Sequence, residues 1–153
     1  NEWQTDRFFQ NILHEQFNTL AGKTITLLGF AFKQNTGDTR DSPAIPLCEK
    51  LLGEHAKVRV HDPKALENAR IDLQEMEGDV RFVEDVYEAA EGAHAIALVT
   101  QWAEYRELDF ERIYNKMVKP AFIFDGRNHL DHQQLFEIGF NVFPLGKPPL
   151  KHV

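Results

Sequence analysis

One cysteine, Cys48, serves 153 residues. No internal disulfide is possible, and a reducing, cytoplasmic compartment is expected. No apolar run approaches the thickness of a bilayer and the first residues carry no signal-peptide pattern, so no membrane is expected among the partners. Basic residues do not balance the acids: 17 Lys and Arg face 24 Asp and Glu, a net charge of −7. Nucleic acid is held by basic surfaces, so this balance argues against it as a partner. Glycine is missing where a dinucleotide would need it. The first strand-like run leads to Gly29 and then only to Gly37, and no Gly-x-Gly-x-x-Gly follows any strand, so the usual backbone cradle for a pyrophosphate is excluded. The histidines show no metal-ligand spacing. His129 and His132 lie one turn apart but lack a carboxylate or thiol partner set.

What is present reads as one soluble domain with a real core, 42% hydrophobic and 27% charged, without repeats or low-complexity segments. Strand-like runs at 24–28, 57–61, 80–83, 95–99, 121–124 and 141–144 alternate with helical patterns at 44–52, 85–92, 109–117 and 132–138. Between them, residues 64–79 are polar with weak helical periodicity. Such alternation demands right-handed crossovers, hence an α/β, Rossmann-like, doubly wound and mostly parallel sheet of about six strands. The order 3-2-1-4-5-6 places its switch point between the first and fourth strands. Asp62 ends the second strand, where a dinucleotide site keeps its ribose-binding acid. Without the glycines it is expected to cap the segment after the strand instead.

An N-terminal helix precedes the sheet. Phe8, Phe9, Ile12, Leu13, Phe17 and Leu20 form its apolar stripe. A doubly wound sheet has no need of a leading helix, so the stripe either packs on this domain's core or covers another domain. At the other end, two adjacent prolines and few anchors make the tail past Gly146 a candidate for fraying.

The chain's chemistry is concentrated in Gly29-Phe-Ala-Phe-Lys-Gln-Asn-Thr-Gly-Asp-Thr-Arg-Asp-Ser-Pro43. This polar loop joins a buried strand to a helix, the place where open α/β sheets bind ligands. Lys33 and Arg40 are cations, Thr36 and Thr39 hydroxyl donors, and Asp41 or Ser42 can cap the helix with Pro43 in its first turn. Fixed cations, hydroxyls and amides at a helix N-terminus suit a phosphate-bearing ligand. The competing reading is a capped surface connection, with Arg40 paired to Asp38 or Asp41. Trp102, past the fourth strand, either walls a pocket or packs a helix start. Arg127, past the fifth, either binds or pairs with Asp125.

The segment Gly29-Phe-Ala-Phe-Lys-x-x-Thr-Gly-Asp-Thr-Arg40 resembles the loop that opens the C-terminal, UDP-binding domain of the UDP-glucose 6-dehydrogenase family. Two further blocks match in the family's order, Ala93-His-Ala-Ile-Ala-Leu-Val-Thr-Gln-Trp102 and Lys119-Pro-Ala-Phe-Ile-Phe-Asp-Gly-Arg127. The resemblance runs from about Asn1 to Gly146. Related dehydrogenases of UDP-N-acetylmannosamine and GDP-mannose usually carry Asp-Asp-x-Arg where this chain has Gly37-Asp-Thr-Arg40, which favours the UDP-glucose branch.

The resemblance implies UDP-glucose binding by Phe32, Lys33 and Arg127, and an NAD contact at Arg40. It implies residues 1–22 as a connector from a central helical region, 23–146 as the UDP-sugar-binding domain and 147–153 as a flexible tail. In such a family UDP-glucose becomes UDP-glucuronate with two NAD consumed, through a thiohemiacetal on a cysteine. Cys48 sits mid-helix and cannot be that nucleophile. No catalytic residue is expected here, and the NAD site is expected mainly on upstream domains. Together with a start at Asn1-Glu-Trp rather than Met, this reads as an excised domain, inactive alone, from a homo-oligomeric enzyme. The alternatives are a stand-alone nucleotide-binding or regulatory module, a dehydrogenase of a related nucleotide sugar, and an unrelated α/β domain with similar loops.

Overall fold

The computed structural model describes residues 2–153, with side chains from Gln4 onward; Asn1, the first residue of the expected connector, lies outside the described residues. Six strands, β1 (Thr24–Leu28), β2 (Lys57–His61), β3 (Asp79–Phe82), β4 (Ala95–Leu98), β5 (Phe122–Asp125) and β6 (Asn141–Pro144), form one sheet in the order β3-β2-β1-β4-β5-β6. Every pairing among them is parallel, with Leu28 beside both His61 and Leu98 at the carboxyl end. This is the expected order. The physical reason is visible in β1 and β4: runs such as Ile25–Leu28 and Ala95–Leu98 are buried on both faces, as only interior parallel strands are. At the edge, β3 carries Asp79 and Arg81 and stays partly exposed.

Helices α1 (Glu2–Glu15), α2 (Ala44–Gly53), α3 (Leu66–Asp72), α4 (Val86–Ala90), α5 (Phe110–Lys116) and α6 (His132–Ile138) cover the sheet. Asp85, Asp109 and Asp131 cap α4, α5 and α6, each accepting an N–H from the first turn. Right-handed crossovers put α2 and α3 on one face and α4, α5 and α6 on the other. That leaves one face a helix short over β4 and β5. Helix α1 fills the gap beside α2: Phe9 and Ile12 are buried in the core, and just past the helix Phe17 meets Phe122 of β5 edge-on at 6.3 Å. The leading helix thus completes the second layer, a role the sheet does require.

The end of the chain is better anchored than its prolines suggest. Val142 and Leu150 exchange both backbone hydrogen bonds, at 2.8 and 2.9 Å, in an antiparallel bridge along the free edge of β6. His152 stacks on Phe136 at 4.1 Å, and its backbone N–H donates to Asn141 Oδ1 at 2.7 Å. No described helix is long and apolar enough to cross a membrane.

Candidate functional site

The loop after β1 is pinned where it leaves the sheet. Asp62, just beyond β2 and 3% exposed, is the residue that does this. Its Oδ2 accepts the N–H groups of Phe30 (2.7 Å) and Ala31 (2.9 Å) and the indole N–H of Trp102 (3.1 Å). Its Oδ1 accepts the N–H groups of Lys64 (2.8 Å) and Ala65 (2.9 Å), which is the expected cap. The carbonyls are held as well: Ser42 Oγ donates to Phe30 O at 2.6 Å and Thr100 Oγ1 to Ala31 O at 2.7 Å. Ser42 Oγ also accepts from Ala44 N–H at the start of α2, and so takes the capping role.

From this frame the functional side chains emerge in sequence. Phe30 is buried, Phe32 half-buried and Lys33 exposed. The Lys33 ammonium lies 5.3 Å from the Phe32 ring centroid, a cation–π contact, and no carboxylate of the described residues is within ion-pair distance of it. Arg40 is different. It grips Asp38 with Nε and Nη2, the latter at 2.7 Å, yet its side chain is 87% exposed. The Arg40 hydrogen bonds hold the Asp38 carboxyl down at about 2.

Strand order brings the neighbouring loops together as anticipated. Contacts of Thr100 with Ala31 and of Trp102 with Asp62 join the loops after β1 and β4. Trp102 is only 4% exposed and serves as a buried strut. One strand further on, the carboxylate of Asp125 accepts the N–H groups of Arg127, His129 and Leu130 and pairs with His132 Nε2 at 2.8 Å. His132 therefore has a single carboxylate neighbour, a pair and not the partner set that a metal would need. The same network leaves the Arg127 guanidinium unpaired with Asp125; its Nε donates to Val99 O at 2.9 Å. Arg127, Gly126, Val99, Leu98, Leu47 and Phe8 line a cleft of about 240 Å³ at this end of the sheet. Lys33 is not among its walls.

The remaining candidates for chemistry are closed off. Cys48 is wholly buried in α2, and burial pushes its thiol up to about 12. His61 and Tyr105 form a buried pair at 2.9 Å, burial lowering the histidine's pKa and raising the tyrosine's. No group of three His, Cys, Asp or Glu among the described residues could hold a metal. The usual dinucleotide cradle is not built at the ends of β1 and β2 either. The turn after β1 has no glycine cradle, and Asp62 spends both oxygens on protein donors, leaving no acceptor for a ribose. Sequence reasoning saw Asp62 and missed its inward half, and it saw Asp125 only as a foil for Arg127. In both cases the available signal was an aspartate at the carboxyl end of a strand.

Fold and site together define a Rossmann-like domain with exposed cations at the carboxyl edge of its sheet, a buried cysteine and no metal-binding group of three His, Cys, Asp or Glu among the described residues. Comparison with known proteins places it further: the chain belongs to the UDP-glucose/GDP-mannose dehydrogenase family, whose UDP binding domain matches residues 26–132. Among curated relatives, UDP-glucose 6-dehydrogenase 1 of Oryza sativa subsp. japonica is 45% identical over 166 residues, covering 97% of this chain and 34% of the relative. The UDP-glucose 6-dehydrogenase of Drosophila melanogaster is 45% identical over 157 residues, covering 96% and 33%. The chain thus spans about a third of the length of these enzymes and corresponds to their UDP-binding portion. A solved UDP-glucose dehydrogenase from the archaeon Pyrobaculum islandicum superposes with a TM-score of 0.71 at 29% identity, covering 92% of this chain and 30% of that one. A UDP-D-ManNAc dehydrogenase from Pyrococcus horikoshii gives 0.71 at 26% identity, covering 93% and 30%.

Proposed function

We propose that this domain supplies the UDP-sugar-binding face of an NAD-dependent UDP-glucose 6-dehydrogenase, which converts UDP-glucose to UDP-glucuronate and consumes two NAD. The observation that carries the reading is the pair of exposed cations, Lys33 and Arg127, on loops pinned to the switch-point edge of a domain from this family. Lys33 and Arg127 would meet diphosphate or sugar oxygens, with Phe32 shaping the wall beside Lys33. Arg40, exposed on the same loop, would offer NAD a single contact. The rest of the NAD site and the catalytic nucleophile would belong to upstream NAD-binding and central helical domains, with residues 1–22 as the connector, 23–146 as the binding domain and 147–153 as a tail. The working enzyme would be a cytoplasmic homo-oligomer.

The test is direct. UDP should raise the melting temperature of this chain, with weak affinity because fewer groups share the ordering cost. NADH should not form from UDP-glucose and NAD with this chain alone, and should form when the same residues are joined to the upstream domains of such an enzyme. Absence of any UDP effect, by melting and by calorimetry, would remove the reading.

A further inference from the structure

Lys33 is an exposed point charge on a flexible stem, so its usefulness depends on the backbone frame from which it projects. That frame lies outside any strand, since β1 ends at Leu28. Its two N–H groups, those of Phe30 and Ala31, both point to one atom, Asp62 Oδ2. The same oxygen accepts the Trp102 indole from the loop after β4, while Oδ1 holds the turn after β2. One buried carboxylate therefore ties together three loops at the ligand-facing edge. Each of its five partners is an N–H donor, an arrangement only an ionised carboxylate can satisfy in full.

Resting on the nucleotide-binding reading above, we infer that Asp62 is the positioning residue of the site: it sets where Phe32 and Lys33 stand, without touching ligand. An Asp62→Asn change keeps the shape but supplies one acceptor oxygen and one N–H₂. Whichever way the amide lies, it confronts either Phe30, Ala31 and Trp102 or Lys64 and Ala65 with a donor. The lysine frame loosens in the first case. In the second the turn after β2, against which Gly37 packs, gives way: a Cβ on Gly37 would meet Lys64 O at 2.7 Å.

The experiment is a double-mutant cycle read by calorimetric titration of the full chain with UDP at fixed salt. Asp62→Asn should weaken UDP by about tenfold, and Lys33→Ala by at least as much in the wild-type background. In the Asp62→Asn background, Lys33→Ala should cost less than about twofold because the lysine is already displaced, whereas Arg127→Ala should keep its full factor. Equal Lys33→Ala factors in both backgrounds would overturn the inference and leave Asp62 a stability residue. Loss on Arg127→Ala with none on Lys33→Ala would also overturn it while sparing the nucleotide reading. No UDP binding by the wild type would remove both. A second readout needs no variant: the Phe30 and Ala31 amides should exchange with solvent as slowly as those of the central strands, although they lie in a loop. Rapid exchange at these two positions in the wild type would overturn the inference even if Asp62→Asn failed to fold.

Discussion

A Cβ atom placed on Gly29 would lie 2.4 Å from the Cβ of Thr100 and 2.6 Å from its backbone nitrogen. The two strands flanking the switch point therefore leave the sheet in backbone contact, and Gly29, at φ +98°, is the residue that allows it. That contact lets Thr100 Oγ1 reach Ala31 O and fixes the start of the Lys33 loop. Gly29→Ala should cost at least about 2 kcal/mol, because left-handed strain adds to overpacking against a rigid neighbour. Urea unfolding of the variant measures it; a change within about 0.5 kcal/mol would mean that the two strand ends can part freely.

Lys33, Arg40 and Arg127 should separate by function. Lys33→Ala and Arg127→Ala should each remove a charge-assisted contact worth about 1.5–3 kcal/mol of UDP binding. Arg40→Ala should leave UDP affinity within about twofold, since its exposed guanidinium already grips Asp38 and is assigned to NAD, not to UDP. Calorimetry on the three variants decides the assignment, and equal affinities throughout would sink it.

Helix α1 belongs to the core. Ile12 is fully buried there, so Ile12→Ala should destabilise by about 2–5 kcal/mol. Deleting residues 1–20 should lower the melting temperature further, by uncovering β5 at Phe122. A truncated chain as stable as the whole would show that the helix only rests on the sheet. Sedimentation of the two forms should find the shorter one more prone to associate.

Stability should fall in mild acid. His94 accepts the Thr24 N–H through Nδ1 at 3.1 Å, so it is neutral in the fold. Burial, then the charges of Lys23 and Lys57, lower its pKa below 6.5. Burial lowers that of His61 as well. The unfolded chain takes up these protons first, so stability present above about pH 6.5 is lost as pH falls toward the folded values. Denaturation midpoints at pH 7.5 and 5.5 should show the drop. His94→Asn, which offers an oxygen acceptor to the same N–H without titrating, should reduce it. An identical drop in that variant would clear His94 of the effect.

Much of the architecture is written locally. Apolar runs of strand length, aspartates ahead of α4, α5 and α6, and alternation of the two patterns determine six parallel strands and their order, because crossover handedness leaves few alternatives. The Gly29–Pro43 loop likewise announces cations and hydroxyls at a strand's carboxyl end. Other features depend on groups far apart in the chain. Asp62 reads as a cap because its Lys64 and Ala65 partners are neighbours; its hold on Phe30, Ala31 and Trp102 exists only once three strands lie side by side. Asp125 turns to His132 and three amides, which frees the Arg127 guanidinium that a sequence would pair with it. Helix α1 reads as superfluous until one face of the sheet is seen to be a crossover short. The division has one physical cause. Propensity and periodicity act over a few residues and can be read in order, whereas the choice of partner for a buried charge or an uncovered sheet face is made by whatever the packed chain brings within hydrogen-bonding or van der Waals distance.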